Sequence, residues 1–119
     1  MSYDFFMMKP KAEIRSTQDL SEDTLLVQDP EVVVQALTAL LPELTWKRAP
    51  DGNWSGALQS DDTWYEFRID ARPDHVWLVR TSRRTNTRRL IPLICDALGL
   101  LAFDGQTNLL IQPVKPGKS

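Results

Sequence analysis

The sequence predicts an α+β domain of two layers, a mainly antiparallel sheet of about five strands with two helices on one face, in the order β-α-β-β-β-β-α-β. Three observations carry this. The stretch Thr63 to Asp70 alternates, with Tyr65, Phe67 and Ile69 on one side and Trp64, Glu66, Arg68 and Asp70 on the other, which is the two-residue period of a half-buried strand. Turn-forming clusters recur between Leu44 and Arg80 so closely that neighbouring strands must run in opposite directions. Two segments flanking this region carry apolar residues at three- and four-residue spacing, the mark of helices with one buried stripe.

Taken in order, Tyr3 to Met8 is apolar on both alternating sides apart from Asp4, which suits a strand inside the sheet, and Pro10 limits its length. Lys11 to Gln28 is polar and acid-rich without a sustained period and reads as a loop with one short turn. Asp29-Pro30-Glu31 starts a helix: Asp29 caps, Pro30 takes the first helical position and Glu31 complements the positive end. That helix runs from Pro30 to about Leu41, burying Val33, Val34, Leu37, Leu40 and Leu41. The turns Ala49-Pro50-Asp51-Gly52-Asn53, Ser60-Asp61-Asp62 and Ala71-Arg72-Pro73-Asp74 then separate strands at Leu44–Arg48, Trp54–Gln59, Thr63–Asp70 and His75–Thr81.

The second helix carries Leu90, Leu93, Ile94, Ala97, Leu98 and Leu101 as its stripe, with stops at Gly99 or Asp104-Gly105. Pro92 lacks a donor and crowds the preceding turn, so this helix either begins near Arg88 or kinks. Asn108–Gln112 forms a last strand. The domain spans residues 1–113, and residues 114–119 form a flexible tail. Because both apolar stripes need the Tyr65, Phe67, Ile69 side, the other side of the sheet is expected to be bare.

A chain of 119 residues is one domain and buries roughly two-thirds of the surface that its unfolded form exposes. Its 42% hydrophobic and 25% charged fractions are those of a soluble globular protein, and no apolar run reaches the ~18 residues of a membrane span. The start lacks a basic leader and a small-residue cleavage site, so it reads as a strand rather than a signal peptide. The single cysteine, Cys95, excludes an internal disulfide and fits a reducing compartment, which places the protein in the cytoplasm.

Enzymatic chemistry finds no foothold. His75 is the only histidine and reads as a surface residue beside Asp74; Cys95 reads as a small packing residue. One His and one Cys cannot build a metal cage, and the glycines are dispersed at turns rather than gathered in a phosphate loop, so no metal or cofactor is expected. The protein is therefore expected not to be an enzyme.

Charge is distributed unevenly around the net of −2. Residues 1–31 hold seven acids against three bases, whereas residues 80–89 hold five arginines and no acid. Arg83, Arg84, Arg88 and Arg89 are the feature that would clamp phosphates, and they support a nucleic-acid or nucleotide-binding alternative. Against it stand the lack of aromatic residues in the cluster, the acidic balance, and the acidic segment 19–31 that offers internal partners.

All four tryptophans, Trp46, Trp54, Trp64 and Trp77, fall within the meander. The core reading stands for Trp46 and Trp77. Parity turns Trp64 outward among Glu66, Arg68 and Asp70, an aromatic anchor with a charged surround, where truncating the anchor commonly costs ~2 kcal/mol or more of binding. This is the composition of a protein-docking surface, which a homodimer would use equally well.

The start Met1-Ser2-Tyr3-Asp4-Phe5-Phe6 and the segment Leu98-Gly99-Leu100-Leu101-Ala102-Phe103-Asp104-Gly105-Gln106-Thr107 resemble a loose group of small bacterial proteins that open on an MSYD-type strand and end on a helix followed by LGL-x-x-F-D-x-Q-T. Some of these are similar to immunity proteins encoded beside secreted interbacterial toxins. The resemblance covers the two ends and the general layout. It implies a cytoplasmic inhibitor that binds one toxin domain and blocks its active site or substrate entry, with no catalytic residues to carry over. In that setting Asp19, Glu22 and Asp23 would mimic phosphate and occupy a basic cleft.

Overall fold

The structure, a computed structural model, describes residues 3–11, 14, 16–60, 63–82, 84–107 and 109–111. In chain order the elements are β1 (Tyr3–Pro10), a 3-10 turn (Thr17–Asp19), β2 (Leu25–Leu26), α1 (Pro30–Leu40), β3 (Thr45–Arg48), β4 (Trp54–Ser60), β5 (Thr63–Ile69), β6 (Val76–Thr81), α2 (Arg84–Leu98), β7 (Leu101–Asp104) and β8 (Leu109–Ile111). The fold is α+β with an open sheet ordered β3-β4-β5-β6-β1-β7-β8, and β2 pairs with the end of β1. Every described pairing is antiparallel.

The sheet has eight strands rather than about five. The main addition is β7, whose Leu101 the helical pattern assigns to α2. Gly99 ends that helix at φ 68°, a left-handed conformation that other residues rarely adopt. The Leu100 N–H then donates to the Cys95 carbonyl at 2.9 Å, the bond of a Schellman cap, and the chain leaves extended. Leu101 thereby lands on the sheet face opposite Ala102.

Helix α1 forms as its sequence dictates, with the Asp29 carboxylate accepting from the Glu31 N–H at 2.9 Å and Pro30 at the first turn. Helix α2 already starts at Arg84 and carries Pro92 in its interior. Its buried stripe is Ile91, Ile94 and Cys95, one residue round from the expected one, and Leu93 and Ala97 face solvent.

One buried cluster joins Val33, Val34 and Leu37 of α1 and Ile91, Ile94 and Cys95 of α2 to Phe5, Met7, Tyr65, Phe67, Ile69, Trp77 and Val79 of the sheet. This is the back of the sheet, and the strands supply it with alternate residues only. Trp46 closes one side: its indole N–H donates to Thr38 Oγ1 at 2.9 Å, and that hydroxyl donates to the Val34 carbonyl at 2.7 Å. The ring lies over Gly56, where an added Cβ would sit 2.8 Å from Cζ3. Glycine is required there by close approach, not by its backbone angle.

The front of the sheet is covered over one half, where a bare surface is expected. β1 is central, between β6 and β7. Its front residues Phe6 and Met8, with Val76 and Phe103, meet Thr17 and Leu20 from the segment before β2 around a recess of about 290 Å³. Met8, Ile14, Leu25 and Leu101 are buried outside the main core cluster. The polar, aperiodic segment sets Leu20 on this recess, and its Ile14 and Leu25 are themselves buried.

The start of β1 and the segment from Leu98 to Thr107 meet in this half. Phe5 and Phe6 of β1 pair with Asp104 and Phe103 of β7, the two phenyl rings lie 6.2 Å apart, and the Gly105 N–H donates to the Asp4 carbonyl at 3.1 Å. Their evident work is to close the sheet around β1.

Candidate functional site

The open half of the front face lies over β3, β4 and β5. Register fixes its relief: Ala57 pairs with Thr45 and Glu66, and Ser55 with Lys47 and Arg68, while Gln59 pairs with Trp64. The central strand therefore shows short side chains between taller ones. With strands about 4.8 Å apart, this makes a valley roughly 10 Å across. The concavity measures about 670 Å³, floored by Ser55 and Ala57 and walled by Glu43 and Lys47 on one side and Trp64 and Glu66 on the other.

Trp64 is 41% exposed, the only large aromatic among the exposed hydrophobics of the described residues. Its backbone is held on both sides of the peptide: the Trp64 N–H donates to Ser82 Oγ at 3.0 Å, and the Ser82 N–H donates to the Trp64 carbonyl at 3.1 Å. The indole thus stands on a fixed strand rather than a loop.

Beside it runs a row of alternating charge. Asp4, Arg80 and Glu66 are cross-strand neighbours on β1, β6 and β5. Arg80 Nε donates to Asp4 Oδ1 at 2.9 Å, and that hydrogen bond, followed by the charge of Asp4 and then of Glu66, raises the guanidinium pKa further. Arg68 Nε lies 3.3 Å from Glu66 Oε2. Along its length the valley is consequently bipolar: Trp64 and Glu43 stand towards one end, Glu66, paired with Arg68, in the middle, and Lys47 towards the other.

Of the predicted docking residues, Trp64, Glu66 and Arg68 are brought together on this face. Asp70 is not: it falls past the end of β5 and lines a shallow recess with Pro30 and Arg72. Asp19, Glu22 and Asp23 are exposed on the segment that covers the other half of the front, two strands from β5. Asp19 is also engaged locally, accepting from the Ser16 N–H at 3.3 Å. Arg84, Arg88 and Arg89 occupy the first turns of α2, and Arg83 lies outside the described residues, as does the tail 114–119.

Sequence reasoning missed the opposing wall and the floor. The signal was present in the hairpin, since pairing Ser60 with Thr63 sets Ser55, Ala57 and Gln59 opposite Arg68, Glu66 and Trp64.

Burial raises the Cys95 pKa to about 12, so its thiol stays protonated. His75 Nδ1 is 4.0 Å from Asp74 Oδ1. Among the described residues no group of three or more His, Cys, Asp and Glu is placed to hold a metal ion, and no helix is long and apolar enough to cross a membrane. No family model matches the sequence, and no match was found among curated proteins or among solved structures.

Proposed function

We propose that this chain is a non-enzymatic binding protein of the immunity type, which seats its front valley on a cognate toxin domain in the cytoplasm and obstructs that domain's active site or substrate entry. The observation that carries the reading is Trp64: a 41% exposed indole, borne on a hydrogen-bonded strand, on the wall of a concavity floored by small side chains. Aromatic anchors beside charged surrounds are where interface energy concentrates.

The valley's chemistry favours a partner that presents a basic side chain to the Trp64 end. An indole face and the Glu43 carboxylate attract such a group, by cation–π and charge interactions together. A toxin that acts on nucleic acid or nucleotides carries basic residues around its substrate cleft. The exposed acids Asp19, Glu22 and Asp23, on the segment over the other half of the front, would meet such a cleft as a separate acidic patch.

The test is protection. A toxin domain encoded immediately beside this chain should arrest growth when expressed alone. Co-expression of the chain should restore growth, and Trp64→Ala should weaken that rescue without lowering the level of folded protein. Failure of the unaltered chain to protect, or the absence of any toxin gene beside it, contradicts the reading.

A further inference from the structure

Three of the five large hydrophobic residues exposed among the described residues converge on one groove on the helix side of the sheet. Leu26 and Val27, 39% and 56% exposed, form one lip, and Val32 of α1, 60% exposed, forms the other. The groove measures about 340 Å³, and its floor is the buried Val33, Trp77 and Leu100. Singly exposed apolar residues need no explanation, but lips of the same groove do.

The charges on this groove suit a second copy of the chain. Lys9 lies on it beside the C-terminal end of α2, its Nζ donating to the Leu98 carbonyl at 3.4 Å. Asp29 lies on it at the N-terminal end of α1. An apolar strip bearing one cation and one anion is complementary to itself: a two-fold axis through the strip sets the lysine of each copy towards the aspartate of the other. A strip of one sign would instead repel its own copy.

We infer that two copies of this chain associate through the groove between β2, α1 and the end of α2, burying Leu26, Val27 and Val32 against their counterparts. This face is opposite the valley, so the dimer leaves both Trp64 surfaces exposed and carries two docking sites facing outwards. The inference does not depend on what the valley binds.

Sedimentation equilibrium of the full chain, from micromolar to several hundred micromolar, tests it. The expected mass is twice the 13.6 kDa of one chain. Val32→Glu and, separately, Val27→Asp should raise the dimer dissociation constant at least about a hundredfold while leaving the thermal melt of the monomer intact. Asp29→Asn keeps a good helix cap and removes only the charge, so it should weaken the dimer about tenfold at low salt and much less at high salt. A wild-type chain that stays at one-chain mass throughout overturns the inference, because the groove would then serve a different occupant. A dimer that survives both valine substitutions overturns it equally, because the interface would lie elsewhere.

Discussion

Gln28 and Trp77, 49 positions apart in sequence, are joined inside the protein by a 2.9 Å hydrogen bond from the indole N–H to the amide oxygen. The same amide donates to the carbonyls of Met7 at 3.4 Å and His75 at 3.2 Å. The Gln28 backbone exchanges hydrogen bonds with Asp74, at 2.8 Å and 3.3 Å. One 8% exposed side chain therefore ties the approach to α1 to the central strands.

Gln28→Leu should destabilise the fold by about 2–3 kcal/mol, because it leaves the buried indole donor without its acceptor and removes two further bonds to carbonyls. Trp77→Phe should also destabilise. The double variant should cost less than the sum of the two, since the indole donor and its acceptor leave together. Urea unfolding of the four proteins measures this.

Gly56→Ala should cost about 1–3 kcal/mol, since the new methyl must displace the Trp46 ring from a 2.8 Å approach. Trp46→Phe should cost about 1 kcal/mol through the lost bond to Thr38, and Thr38→Val should couple to it in a double-mutant cycle. Additive losses would contradict the bond.

Cys95 should be chemically silent in the native protein. Its pKa is raised from 9.0 to about 12 by burial, so the neutral thiol is favoured on folding. The stability that this contributes is complete below the unfolded pKa of 9.0 and fades as pH climbs towards 12. Labelling by a disulfide reagent at pH 8 should be at least about a hundredfold slower than in denaturant, and should follow the unfolding equilibrium.

The meander and the outward turn of Trp64 are legible in the sequence because β5 keeps an unbroken two-residue period through Ile69. Helix α1 is legible for a similar reason, since its cap, proline and stripe agree. The second helix is harder to read: Ile91 and Cys95 compete with Leu90 and Leu93 for the buried side, and the core takes the former pair. β7 spans only Leu101–Asp104, too short to show alternation against a helical run. Gln28 is invisible by pattern, because its role depends on Met7, His75 and Trp77 arriving from elsewhere in the chain. The half-cover of the front by residues before β2 has the same origin in tertiary packing.

The central claim is that Trp64 and its valley are what the partner touches. Titration calorimetry of the chain with the proposed toxin partner tests this most directly, using wild type, Trp64→Ala, and an Arg84, Arg88 and Arg89 triple alanine variant at two salt concentrations. Trp64→Ala is predicted to lower affinity by at least about thirtyfold with an unchanged melting temperature, and the arginine variant to bind almost normally. Full affinity in Trp64→Ala, together with loss of binding in the arginine variant and a steep fall of affinity with salt, would contradict the account and move the function to the start of α2.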